Sequence, residues 1–359
     1  MWSKKMKKVF LIVVLYLMQF SCINAQTLKL GNQNFVKENM RFNLPLQDKP
    51  FDVVGMGLNS VDFLSVVPEF PAPNSKTKML RFSKQGGGQV ATAMVALSRW
   101  GVKTKYIGKV GEDELGQFSL HSIRQEGVDV SSVTIERNTT NQFSMIIVDG
   151  PSGERTILWN RDERLICREG ELQKEEVCSG KLLHLDGHDI HAALQCAKWA
   201  KEEGIPTVVD LDKVEPLTPN LIKEIGFIIT SSRFPMLYTG IPDLKKALGE
   251  LQKHTSGFLC STLGHEGAVA LVNGEILSVK GFEVNVVDTT GAGGVFHGGF
   301  IYGLLKNWEV EEILRFANAV AALKCQDLGG RKGIPNLEEV QRFLNLRVKK
   351  RFVKKARNL

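Results

Sequence analysis

The chain has no Cys-x-x-Cys pair; its six cysteines (Cys22, Cys167, Cys178, Cys196, Cys260 and Cys325) lie far apart. That spacing excludes a zinc site or disulfide framework and reads as reduced, mostly buried thiols of a cytosolic chain. No Gly-x-x-x-x-Gly-Lys-Ser/Thr sequence occurs, which excludes a P-loop, and no Gly-x-Gly-x-x-Gly follows the first apolar strand, which excludes a dinucleotide fingerprint. Internal repeats and low-complexity tracts are missing as well. The N-terminal apolar run, Val9 to Met18, is too short for an ordinary transmembrane helix.

What is present in bulk is ordinary. A chain of 359 residues, 43% hydrophobic and 24% charged, suits a soluble protein with a sizeable core. The net charge of +7 belongs to the ends: seven Lys or Arg lie between Arg347 and Arg357, and four lysines (Lys4, Lys5, Lys7, Lys8) open the chain. Without them the body is mildly acidic, so no nucleic-acid partner and no stable membrane span are expected. The basic tail (347–359) reads as a solvated helix end.

Residues 1–26 follow a secretory pattern: a basic cluster, an apolar run, then a cleavage-like Ser21 to Ala25. Two readings compete, export and a true start at Met40. Residues 27–50 are polar and weakly patterned, a linker, with order expected from Phe51.

From Phe51 onward short apolar strands alternate with helices. Phe51 to Met56 runs into Gly57; Val90 to Trp100 has helical apolar spacing and stops at Gly101. The series continues through Lys181 to Leu185, Ala192 to Glu203, Thr207 to Asp210, Ile225 to Thr230, Gly257 to Thr262 and Ala268 to Val272. This order predicts a doubly wound α/β fold with a mostly parallel sheet. Gln142 to Val148 and Thr156 to Asn160, joined by Asp149-Gly150-Pro151-Ser152-Gly153-Glu154, break the pattern and predict a hairpin. With the segment 62–85 it is expected to form a small antiparallel β lid (62–85 and 142–160).

The strongest chemical signal is Val287-Asp288-Thr289-Thr290-Gly291-Ala292-Gly293-Gly294. A strand ends, a tight turn of small residues follows, and a helix begins. Amides of Gly291 to Gly294 can converge there on an anion, reinforced by the helix dipole. A plain glycine-rich turn is the bland alternative.

This segment resembles the C-terminal signature of the ribokinase-like (PfkB) carbohydrate kinases, Asp-Thr-x-Gly-Ala-Gly-Asp. The resemblance implies an anion hole at Gly291, Ala292 and Gly293, and a catalytic base at position 294, where this chain has glycine. Gly87-Gly88 with Thr92, where the family has asparagine, is similar to its N-terminal block, and Asn59 with Asp62 to its first substrate loop. The likeness implies sugar contacts there. Thr262, Gly264 and Gly267 are similar to the nucleotide-side element, and Asn318 and Gly329 fall where the family wraps adenine. The family's cofactors would be ATP with Mg²⁺, and a monovalent cation such as K⁺ near Asp288 and Thr290. Thr230-Ser231-Ser232-Arg233 replaces the Asn-x-x-Glu element that organises magnesium. Pairing through the lid would give a homodimer.

Two functions follow. One is an ATP-dependent kinase for a sugar, polyol or nucleoside hydroxyl, with activity crippled by Gly294. The other is a pseudokinase that binds sugar or nucleotide as a regulator. ATP is scarce outside the cytosol, and a start at Met40 would leave a chain of normal size for the family, so a cytoplasmic location is preferred over export. Arg155, Arg161 and Arg164 are candidate anion contacts from the lid. His184, His188 and His191 with Asp186 and Asp189 read as ordinary polar loop residues, and Arg331 as part of a solvated loop.

Overall fold

The computed structural model describes residues 40–168 and 170–356, with side chains as far as 346. The secretion-like segment 1–26 and residues 27–39 lie outside the described residues.

In chain order the strands are β1 (Phe51–Met56), β2 (Ser60–Val67), β3 (Arg81–Gly87), β4 (Thr104–Gly111), β5 (Val133–Glu136), β6 (Phe143–Asp149) and β7 (Arg155–Asn160). There follow β8 (Gly180–Asp186), β9 (Thr207–Leu211), β10 (Phe227–Ser231), β11 (Phe258–Thr262), β12 (Gly267–Val272) and β13 (Glu275–Lys280). Nine of them make one sheet in the order β13-β12-β11-β10-β9-β8-β1-β4-β5. Its pairs are parallel from β5 to β11, and β12 and β13 finish it as an antiparallel hairpin.

The central strands are short runs of Val, Leu and Ile with both faces covered. Val53, Leu182, Val208 and Ile229 pack under the helices Gln89–Arg99, Ala292–Leu305 and Val310–Lys324. Val54, Leu183, Val209 and Ile228 pack under Ile190–Glu202 and Leu244–Gln252. Near-continuous apolar strands are what a parallel sheet buried on both sides requires.

The chain leaves β1 toward β4 on one side and returns to β8 on the other. Neighbouring loops diverge at such a switch point and open a crevice at the strand carboxyl ends. The second sheet, ordered β3-β2-β6-β7, projects there. Its outer pairs are antiparallel and its central pair β2–β6 is parallel.

Residues 41–50 form no helix or strand, yet order begins before Phe51. The Phe42 ring meets Phe227 edge-on at 4.7 Å and Phe258 at 5.0 Å, and Gln47 Nε2 donates to the Glu203 carbonyl at 2.6 Å. One aromatic in a polar stretch is too little periodicity to read, but enough to anchor it. At the other end the helix Leu337–Ala356 takes in most of the basic tail. Among the described residues no helix is long and apolar enough to cross a membrane.

Candidate active site

At the switch point the loop after β1 is held by Asp186, the last residue of β8. Leu58 N donates to its Oδ2 at 2.7 Å and His188 N to its Oδ1 at 3.0 Å. This fixes the approach to Asn59 and Asp62, which are 4% and 5% exposed. Ser60 Oγ donates to Asp62 Oδ1 at 2.7 Å. Burial raises the Asp62 carboxyl above its usual range, against the opposing pull of the Ser60 hydroxyl and Arg331. A Cβ on Gly87 would overlap the Asp62 carboxylate, and Gly88 has a φ of +91° against the Leu58 carbonyl. Both glycines are therefore demanded by close approach.

Arg331, expected in a solvated loop, is only 5% exposed. Its Nη2 donates to the Gly87 carbonyl at 2.5 Å and to Asn59 Oδ1 at 3.3 Å, and its Nη1 to Ser122 Oγ at 3.2 Å. Burial pulls the guanidinium down to about 10. A Cβ on Gly86 would overlap Nη1, so the glycines of β3 also make room for this strut. Nothing in the local pattern Gly-Gly-Arg-Lys-Gly distinguishes a strut from a solvated turn.

The register of the small sheet sets Gln85, Asp62, Ser144 and Trp159 side by side across its four strands. Trp159 thus shares the face of Asp62 and is 69% exposed. Sequence reasoning missed it because an aromatic in a β-run looks like any hairpin residue. Of the lid arginines, Arg155 reaches the glycine turn, with Nη1 donating to Thr289 Oγ1 at 2.7 Å. Arg161 is committed to Asp189 at 2.6 and 2.8 Å, and Arg164 to Asp162.

In the glycine turn Asp288 is fully buried. Its Oδ1 accepts from Thr290 N at 2.8 Å and its Oδ2 from Gly329 N at 2.7 Å. Its carbonyl oxygen accepts from Lys324 Nζ at 2.9 Å. Gly291, at φ +76°, caps the helix Ala292–Leu305 and presses on Gly330, 2.6 Å from where its Cβ would stand. A Gly293 Cβ would meet no atom within 4 Å apart from its chain neighbours and its own helix backbone. Open space thus stands at the positive end of a helix whose first amides have no intrahelical partner.

Gly294 is packed closely. A Cβ there would lie 2.9 Å from the Gln89 carbonyl oxygen and 3.1 Å from Thr92 Cβ. Gly298, one turn on, would meet Ala96 Cβ at 3.1 Å, whereas Gly299 and Gly303 face Ala317 and Ile313. The helix is squeezed between two others, and its glycines are its contact surfaces.

His297 lies behind the turn, buried, with Nδ1 donating to the Gly293 carbonyl at 2.8 Å and 3.5 Å from Asp210 Oδ2. It stacks on His184, whose ring centroid is 5.6 Å away. Desolvation lowers His297 to about 4 and His184 to about 3. Asp210, also buried, is raised well above its ordinary value by desolvation and by the neighbouring Asp212 and Asp186. His184 lies inside β8 and Asp186 ends it, so neither is a loop residue as the sequence suggested.

On the nucleotide side Thr262 ends β11, with Oγ1 donating to the Thr230 carbonyl at 3.3 Å. Gly264 and Gly267 turn the chain at φ +60° and +108°. A Cβ on Gly267 would overlap the Val279 carbonyl, which Asn318 Nδ2 also binds at 2.9 Å. Asn318 therefore braces the β12–β13 hairpin next to Gly267. Gly329 lies between Asp288 and Gln85, at the glycine turn. Among the described residues no group of three or more His, Cys, Asp or Glu could hold a metal ion.

Comparison with known proteins fits this architecture. A 5-dehydro-2-deoxygluconokinase from Clostridium botulinum is 26% identical over 322 residues, covering 83% of this chain and 94% of its own. A putative ribokinase from Agrobacterium tumefaciens superposes with a TM-score of 0.78 at 26% identity, covering 83% of this chain and 99% of the other. Arabidopsis thaliana ribokinase complexed with ribose and ATP gives a TM-score of 0.70 at 21% identity, over 82% of this chain and 98% of its own. Residues 51–337 match the pfkB family carbohydrate kinases, and the chain belongs to that family.

Proposed function

We propose that this protein binds MgATP and a sugar, polyol or nucleoside and transfers the γ-phosphoryl group to a hydroxyl, slowly, because Gly294 supplies no base. Asp62, Asn59 and the Gly87-Gly88 turn hold the acceptor's hydroxyls, with Thr92 below and Trp159 offering a ring face from the lid. Gly291, Ala292 and Gly293 receive the transferring phosphoryl oxygens, and Arg155 approaches them from the lid. Thr262, Gly264 and Gly267 line the nucleotide side. Mg²⁺, bound to ATP as part of the substrate, would neutralise its phosphates. Such a site works by positioning and electrostatics.

One observation carries the reading: the acceptor loop and the glycine turn meet through a single strip, Gly329 on Asp288 and Arg331 on Gly87. Support comes from the relatives at 26% identity, named as a 5-dehydro-2-deoxygluconokinase and a putative ribokinase. The need for ATP favours the cytoplasm over export as the place of this work. The outer face of the lid exposes Phe82, Met145 and Leu158, and through it two copies would pair.

A second reading, a sugar- or nucleotide-binding pseudokinase, is favoured by the tight seat of Gly294 on Gln89 and Thr92. ADP production by the full chain over a panel of sugars, sugar acids and nucleosides decides between them. Turnover names the acceptor and supports the kinase. Ligand-raised melting temperature without turnover, in the parent and in Gly294→Asp, supports the binding protein. Neither turnover nor ligand protection sinks both.

A further inference from the structure

The site of the expected monovalent cation already has a positive group. Lys324 is the last residue of the helix Val310–Lys324, and its side chain is fully buried. Its ammonium donates to the Asp288 carbonyl oxygen at 2.9 Å, and no carboxylate among the described residues pairs with it directly. It stands on the last residue of its helix, where a cation is favoured. Burial lowers its pKa, opposed at longer range by Cys325 and by the Asp288 carboxylate.

Of the oxygens that the Asp288 and Thr290 side chains and the Asp288 carbonyl would offer a cation from solution, only the buried Thr290 Oγ1 has no partner. Both carboxylate oxygens of Asp288 are taken by the amides of Thr290 and Gly329, and its carbonyl by Lys324. The donor set does not fit a second positive charge beside the ammonium. We propose that Lys324 is a built-in cation that holds the Asp288–Gly293 turn in its anion-binding shape, so that phosphate binding here needs no potassium. The lysine does not touch substrate. It acts as a positioning residue by fixing the carbonyl of Asp288 and adding one fixed charge beneath the turn. An exchangeable ion would make that charge depend on salt; a tethered lysine does not, although burial lowers the pKa of its ammonium below the ordinary value.

The proposal rests on the nucleotide-binding reading. Its test is the affinity of the full chain for MgADP in choline chloride and in potassium chloride at equal ionic strength. The expected affinity is the same within about twofold in both. Lys324→Met, which keeps the buried stem and removes the charge, is expected to lose about tenfold or more in choline and to regain part of it in potassium. If that variant does not fold, the wild-type comparison decides alone, together with crystals of the wild type soaked in rubidium. A wild-type affinity that rises about tenfold with potassium, or rubidium bound at the Asp288 carbonyl, overturns this inference and leaves nucleotide binding standing. No MgADP binding in either salt is a different pattern and overturns both.

Discussion

Gly294 lets its helix close on the Gln89 carbonyl, leaving only 2.9 Å for any Cβ placed between them. An aspartate therefore does not simply drop into its family position. Gly294→Asp is expected to raise turnover by about 10²–10⁴ through a restored base, and to cost about 1–3 kcal/mol of stability through overpacking. Adding Thr92→Ser, which deletes the methyl 3.3 Å from the new Cβ, should return part of the stability. Thermal unfolding of the three proteins checks the packing; a Gly294→Asp protein as stable as its parent would refute it.

The closeness of Gly87 to Asp62 makes a second substitution selective. In Gly87→Ala the new methyl overlaps the carboxylate, so Asp62 must turn away. Protection by an acceptor should disappear while protection by nucleotide persists, as read by ligand-dependent melting. Equal loss of both would mean that the glycine serves the fold rather than the acceptor loop.

Phe42 offers a test of how the segment before β1 contributes. Its ring fills a notch between Phe227 and Phe258, and Phe42→Ala should cost about 2–4 kcal/mol. Urea titration measures this directly. A change under about 0.5 kcal/mol, the range of an ordinary surface substitution, would show the segment to be a passive linker.

The stacked imidazoles set a pH response. Folding depresses His297 to about 4 and His184 to about 3, below the ordinary 6.5. At these two sites the unfolded chain binds more protons below about pH 6.5, so their contribution to stability falls as pH drops toward 4, opposed by the raised carboxyls of Asp210, Asp186 and Asp62. For His297 alone the loss is on the order of 3 kcal/mol by pH 4. His184→Phe should flatten the profile between pH 6.5 and 4. An unchanged slope would mean that the pair is hydrated and titrates normally.

Much of this was legible in the sequence, and the reasons differ by residue. The strand runs are apolar on both faces, so the parallel sheet announced itself at β8 to β11 within a residue or two. Asp62, Gly87, Asp288 and Gly291 stand in spacings tight enough to mark the site. Arg331 was not readable, because whether an arginine in a glycine turn is solvated or buried depends on β3, far away in sequence. Trp159 could be placed on a strand, but only the β6–β7 register sets it on the face of Asp62. Gly294 could be read as standing where the family signature has an aspartate, but not as a helix contact, since the partner at Gln89 and Thr92 lies in another helix.

Lys324, Leu328, Gly329 and Arg331 bind in turn the Asp288 carbonyl, the Gln85 side chain, the Asp288 carboxylate and the Gly87 carbonyl. Eight residues of backbone thus join the glycine turn to the small sheet, the proposed phosphate and acceptor sides of the site. A ligand bound as proposed would still its own end of that strip and so spare the other part of the ordering cost. Acceptor and nucleotide would then be effectors of one another, with the help equal in both directions by linkage.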